Sequence, residues 1–212
     1  MGRRALRKID PSLDLSRHLL TLDDLQPPLD IDSLFARPAP FEVEVGSGKG
    51  LFMASASETM PGHNFLGIEI SEKYARFAAA KLARNDRDNA VMIHGDAQRF
   101  CFEFLADESI AAVHVYFPDP WWKKRHRKRR IMNETFLCEV VRVLEQNGKL
   151  HFWTDVEEYF ESSLELIQQV TNLAGPIEVD VNTPEHDLDY RTHFERRMRL
   201  HDESVFRAEF QK

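Results

Sequence analysis

The feature that most constrains this chain is the stretch from residue 41 to residue 50. Phe41-Glu42-Val43-Glu44-Val45 alternates with a period of two and runs straight into Gly46-Ser47-Gly48-Lys49-Gly50. A period of two marks a strand, and alternate glycines allow a tight turn that brings backbone close to a ligand. The chain then repeats strand and helix. Helix-like residues 51–59 stop before Pro61, and Asn64 to Ile70 reads as a second strand. Ser71 is a suitable N-cap for a helix over 72–84. Ala90 to His94, Ile110 to Phe117 and Lys149 to Thr154 read as further strands, with helices over 97–105, 133–145 and 156–172. Asn147-Gly148 reads as the stop of the helix over 133–145. Ile177 to Val181 and Ser204 to Phe210 read as two final strands. Such alternation predicts an α/β fold with a mainly parallel sheet and helices on both faces. Residues 1–40 carry Pro11, Pro27, Pro28, Pro38 and Pro40, which predicts an N-terminal extension ahead of one domain over 41–212.

In open α/β sheets, ligands bind at the carboxyl ends of the strands. Each expected strand end here carries an acid: Glu44, Glu69, Asp96, Asp119 and Asp155. A lone acid would read as a solvated charge, whereas one at each of five strand ends points to a site. The glycine turn does not match a dinucleotide fingerprint, because Leu51 and Phe52 follow Gly50 and the third glycine is missing from its place. Glu69 suits a ribose diol, since a carboxylate accepts from two hydroxyls, and Asp96 suits an adenine amino group. A ligand with adenosine and no pyrophosphate fits this set, and S-adenosyl-L-methionine is such a ligand.

The stretch Phe117-Pro118-Asp119-Pro120-Trp121-Trp122 runs into Lys123-Lys124-Arg125-His126-Arg127-Lys128-Arg129-Arg130. The prolines restrict the backbone around Asp119, the tryptophans can stack on a base or pack under the loop, and the cations suit phosphates. The net charge of -7 argues against a polyanionic partner until its distribution is considered. Eleven of the 28 basic residues lie in 1–8 and 123–130, which leaves 17 against 35 acids elsewhere. An acidic body with concentrated basic patches steers a polyanion to one place. Other classes fall away. No apolar run is long enough for a membrane span, and the basic N-terminus has no apolar stretch after it, so a secretory signal is not expected. Cys101 and Cys138 predict neither a disulfide nor a metal site and suit a reducing cytoplasm, and the nine histidines form no metal pattern.

These residues resemble the bacterial tRNA (guanine-N7-)-methyltransferases. The matching stretches are Glu44 to Gly50, Gly67-Ile68-Glu69, Gly95-Asp96-Ala97, Phe117 to Arg130, Thr154-Asp155 and Thr192-His193-Phe194-Glu195. Trp122 departs from the pattern, which commonly carries His there. The resemblance implies a Rossmann-like class I S-adenosylmethionine-dependent methyltransferase fold and a target guanine in the tRNA variable loop. It implies that Glu44, Gly46, Ser47, Gly48, Glu69, Asp96, Ala97 and Asp119 line the cofactor pocket, and that Asp119 is also catalytic. It places Lys123, Asp155 and Thr192, His193, Phe194 and Glu195 at the tRNA, and the charge of the 123–130 patch puts Arg127, Lys128 and Arg129 on its phosphates. Guanine N7 and O6 are both acceptors, so a carboxylate reads the opposite edge, where Glu195 or Asp155 can accept from N1–H and the amino group. The expected protein is a cytoplasmic monomer or homodimer with tRNA as partner, no membrane and no metal. An adenine-N6 methyltransferase and a non-catalytic RNA-binding protein are the competing expectations.

Overall fold

The computed structural model describes residues 6–179, 190–201 and 203–212. Among them, eight strands form one sheet: β1 (Leu19–Thr21), β2 (Phe41–Val45), β3 (Asn64–Glu69), β4 (Ala90–His94), β5 (Ile110–Tyr116), β6 (Leu144–Thr154), β7 (Ala174–Ile177) and β8 (Phe206–Gln211). Their order is β1-β4-β3-β2-β5-β6-β8-β7. All pairs from β1 to β6 are parallel, and β8 runs antiparallel between β6 and β7. The order reverses between β2 and β5, which is the switch point where open α/β sheets take ligands.

Among the described residues, six α-helices lie between the strands: α1 (Leu51–Thr59), α2 (Glu72–Arg84), α3 (Ala97–Phe104), α4 (Glu134–Val143), α5 (Glu157–Val170) and α6 (His193–Leu200). Alternation along β2 sorts the two faces. Val43 and Val45 join a core with Phe100, Phe104, Phe136, Val140 and Tyr159 of α3, α4 and α5. The other face meets Phe52, Met53, Ala78 and Leu82 of α1 and α2. The expected parallel sheet with helices on both faces is therefore the observed one.

Three differences have physical causes. Helix α4 ends at Val143, and Asn147 (φ 69°) sits inside β6 instead of ending the helix. Leu144 already pairs with Ile110, and the register resumes at Lys149 opposite Ala112, so residues between them bulge out. The C-terminal strand holds that bulge, with Asn147 N donating to Lys212 O (3.1 Å) and Lys212 N to Gly148 O (3.0 Å). Strand β7 starts at Ala174, ahead of the expected Ile177, and residues 180 and 181 of the expected strand lie outside the described residues. The proline-rich start does not stand apart from the sheet. Its β1 pairs with β4, and Leu22, 2% exposed, packs where a side chain on Gly95 would otherwise lie.

Among the described residues, no helix is long and apolar enough to cross a membrane, no acid, histidine and cysteine group can hold a metal, and both cysteines are free. Because Leu22 is buried against the sheet, Leu22→Ala should lower unfolding free energy by about 2–5 kcal/mol, the usual cost of such a cavity. Urea denaturation measures this, and a change within 0.5 kcal/mol (about the size of a neutral surface substitution) would mean that the extension contributes nothing to the folded core.

Candidate active site

The glycine turn sits at the carboxyl end of β2. Gly46, Gly48 and Gly50 all have positive φ, at 77°, 53° and 61°. At Gly50 there is also no room, since a Cβ would lie 2.5 Å from the Ala78 Cβ on α2. The turn is tied to β3 by two donors into one carbonyl, Gly46 N and Ser47 N to Ile68 O (2.8 and 3.2 Å). Glu69 completes the tie. Its Oε2 accepts from Gly48 N and its Oε1 from Ser71 N, both at 2.8 Å. Each oxygen keeps a second lone pair, so the carboxylate is oriented by backbone and still able to accept from a diol.

Glu44 lies beneath this turn at 3% exposure, and its Oε2 has no hydrogen-bond partner among the described residues. Burial pushes its carboxyl up to about 8, with repulsion from Glu69 adding to the shift. Lys81 on α2 reaches under the turn and donates to Lys49 O (3.0 Å) and Gly50 O (3.4 Å). Burial brings its ammonium down to about 8, opposed by attraction to Glu44. Nothing in the sequence marks Lys81 off from a solvated helix lysine; only the packing of α1 on α2 places it here. A buried carboxyl with an orphaned oxygen is a place for a cationic group, because a ligand charge would repay its lost hydration.

The next acids are more open. Asp96 is the exposed N-cap of α3, its Oδ1 accepting from Arg99 N (2.9 Å), and Ala97 opens the helix. Ile70, just past β3, is 67% exposed, an apolar surface between Glu69 and the helix α2 start that suits the face of a flat base. In the sequence Ile70 has the pattern of a strand's last residue, and only the structure marks it as exposed.

Asp119 is exposed on the loop after β5. Residues on both sides of the Pro-Asp-Pro segment are in the left-handed region, Phe117 at φ 50° and Trp121 at φ 45°. Such backbone is costly for bulky residues and persists only when surroundings hold it. Phe117 N donates to Trp153 O (2.7 Å), and Arg130 Nε donates to Pro120 O (2.8 Å) with its guanidinium 4.4 Å from the Tyr159 ring. The loop is thereby pinned at both ends. Behind it, Glu42 Oε2 meets His114 Nε2 (2.6 Å), and His114 Nδ1 meets the Tyr116 hydroxyl (2.9 Å), a buried polar string leading to the loop.

The cations follow as a 3-10 helix over Lys124–Arg129. Lys123, Arg127, Lys128 and Arg129 are all exposed. Arg127 pairs with Glu158 (2.6 Å) on the surface, a weak tie that phosphate can displace. Arg129 stacks over Trp121 at 5.1 Å.

Helix α6 brings the late motif to the same loop. Its N-cap Thr192 accepts from Glu195 N (3.0 Å), and the Phe194 ring packs 4.9 Å from Phe117. Of His193 only the backbone place, at the start of α6, is described. Arg197 stacks on Phe194 at 4.3 Å and its charge acts on Asp155, whose carboxyl is raised by burial. Arg197 was also not anticipated from the sequence. Glu195 is held by several donors. It is 2% exposed and its carboxylate accepts from Arg191 N (2.7 Å), Arg207 Nη2 (3.2 Å) and Arg199 Nη1 (3.4 Å). In this arrangement the carboxylate braces the start of α6.

A sheet that reverses at a glycine turn, with a buried acid under the turn and oriented acids beside it, is the architecture of a methyltransferase. Solved structures share the fold: an antibiotic-related methyltransferase superposes with TM-score 0.60 at 15% identity, covering 85% of this chain and 90% of that one. The aminoglycoside resistance methyltransferase NpmB1 gives TM-score 0.57 at 18% identity, covering 81% and 86%. A family model described as a putative methyltransferase matches residues 38–208. A tRNA (guanine-N(7)-)-methyltransferase of Rhodopirellula baltica is 47% identical, covering 100% of this chain and 80% of the relative. One of Listeria monocytogenes is 33% identical, covering 83% and 82%. The chain belongs to this methyltransferase family, that of the tRNA (guanine-N(7)-)-methyltransferases.

The raised Glu44 carboxyl has a measurable consequence. The folded protein keeps that proton to about pH 8, whereas the unfolded carboxyl loses it near its ordinary 4.5. Between these values the folded state binds the extra proton, so this group's contribution to stability falls as pH rises. Relative to Glu44→Gln, the parent should lose stability progressively from about pH 4.5 to 8. Parallel pH-dependence curves in urea denaturation of the two proteins would show that Glu44 titrates normally.

Proposed function

We propose that this protein transfers the methyl group of S-adenosyl-L-methionine to N7 of a guanine in the tRNA variable loop. The observation that carries the reading is a register. Val45 of β2 lies opposite Val115 of β5, so the glycine turn and the Asp119 loop leave the sheet side by side. The cofactor and the base to be modified thus share one edge, with the cations beginning a few residues further on. The residues fit the cofactor. Glu44, with its orphaned oxygen, suits the cationic end; Glu69, held by Gly48 N and Ser71 N, suits the ribose; Asp96 and Ala97 suit the adenine edge; and Gly46 and Ser47 leave the turn open. When bound, the cofactor supplies a methyl carbon on a positively charged sulfur.

The chain's own work is to position and to balance charge. Guanine N7 presents a lone pair at neutral pH, so no residue need remove a proton. Alignment of the reacting atoms is worth roughly 7–11 kcal/mol when it is tight. Asp119, fixed between two prolines in a pinned loop, holds negative charge where the modified guanine becomes cationic. Asp155 accepts from the donor edge of the base, and Glu195 acts through Thr192 and Phe194 by holding α6 against Phe117. Lys123, Arg127, Lys128 and Arg129 take phosphates. The protein acts in the cytoplasm, where its tRNA substrate resides, as a monomer or a homodimer.

Incubation with tRNA and labelled cofactor, followed by nucleoside mass spectrometry, tests the reaction; label in N6-methyladenosine and none in N7-methylguanosine would reverse it. Asp119→Asn keeps size and loses charge, and single-turnover transfer should fall on the order of a hundredfold, the scale seen when one electrostatic partner of a transition state is lost. Parental transfer with both substrates saturating would reduce Asp119 to a loop-former. Replacing Arg127, Lys128 and Arg129 together by Ala should lower the slope of log affinity against log salt by about 0.7–0.9 for each phosphate the variant no longer neutralises. Titration of tRNA over a potassium chloride series measures it, and an unchanged slope means that the 3-10 helix faces away from RNA.

A further inference from the structure

The paired tryptophans after Pro120 have separate fates. Trp121 is partly buried, its ring edge-on to His126 (centroids 5.9 Å, interplanar angle 87°) and its face covered by Arg129. Its backbone is left-handed, at φ 45°. Trp122 is 65% exposed, among the most exposed large apolar side chains described. Among the described residues, no ring and no guanidinium stacks on it. Exposing an indole to water is unfavourable, and an aromatic left bare amid cations is the composition of a base-stacking platform. Lys123 and Lys124, both exposed, follow it directly.

We propose that Trp122 stacks on a nucleobase of the bound tRNA, a base adjacent to the one that enters the site. This rests on the reading of the protein as a tRNA methyltransferase. Trp122 is three residues from Asp119, so their Cα atoms are at most about 11 Å apart. A guanine that brings N7 to a methyl group held at the strand ends leaves its own stack, and unstacking costs free energy. That step uncovers the face of a neighbouring base within this distance. An indole held on a pinned loop covers it again. The flanking lysines hold the backbone, and the indole, which has no base-specific donor pattern on its face, takes any base. The charged interactions and the stacking interaction are therefore separable, because only the former release counterions.

The test uses the full chain and a purified tRNA, with affinity measured by anisotropy across a potassium chloride series and tryptophan emission followed in the same titration. Trp122→Ala should weaken binding about five- to a hundredfold, the range for loss of one base–aromatic stack, with the salt slope unchanged. Trp122→Phe should recover most of the affinity while losing much of the tRNA-induced quenching of emission, since Trp121 and Trp153 then remain as the only indoles. Parental affinity in Trp122→Ala overturns the proposal, as does a loss of affinity accompanied by a flattened salt slope, which would make Trp122 a prop for the cations. If the parent binds tRNA and Trp122→Ala is neutral, this inference alone fails. If the parent binds no tRNA at any salt, the assigned function fails with it.

Discussion

The carboxylate of Glu69 is the junction on which the rest depends. It takes one backbone N–H from the turn after β2 and one from the start of α2. Those two bonds tie the glycine turn to the end of β3 and fix the orientation of the carboxylate. The bond from Gly48 depends on the left-handed glycines of the turn that carries its amide. Glu44 and Lys81 are then trapped beneath the turn, at a place where burial makes both charged forms unfavourable. A site built this way has a buried carboxyl with an unpartnered oxygen on its inner side and oriented acceptors at its rim, which suits a small cationic ligand with hydroxyls.

Electrostatic division of labour extends beyond the pocket. The acids gather at the strand ends, while the cations occupy a 3-10 helix on a single loop. Between them lies the most constrained backbone in the site, with Phe117 and Trp121 both at positive φ. That conformation is held by tertiary contacts: Trp153 O on one side, Arg130 and Tyr159 on the other, and Phe194 packed on Phe117. The late helix α6 is thus part of the same apparatus even though it lies far along the chain. Glu195 supports it from behind through three donors, which makes its carboxylate a brace for the phenylalanine in front of it.

Much of this was legible in the sequence because the physics behind it is local. The period-two run at Phe41 to Val45, the glycines after it, the boundaries of α1 and α2, and an acid at each strand end follow from propensity, turn geometry and the rule that ligands sit at strand ends. The concentration of cations in 123–130 was equally plain against an acidic background. Local signals failed where two meanings compete. Asn147-Gly148 has the chemistry of a helix stop and also of a bulge, and the C-terminal strand, more than sixty residues away, decides between them by accepting and donating at Asn147 and Gly148. The prolines of residues 1–40 rule out long elements, yet a three-residue strand and one buried leucine suffice to join that stretch to the sheet.

The sequence by itself determined the order of elements, the parallel sheet and which strand ends carry acids, because each depends on residues within a few positions of one another. Only the tertiary structure decided which of those groups are free. Glu195 is held by arginines from its own helix and from β8, Lys81 is drawn under the glycine turn, and of two adjacent tryptophans one is packed and one is bare. The physical reason is that solvation and hydrogen-bond saturation belong to a side chain's neighbours in space, and those neighbours come from elements that fold together across the whole length of the chain.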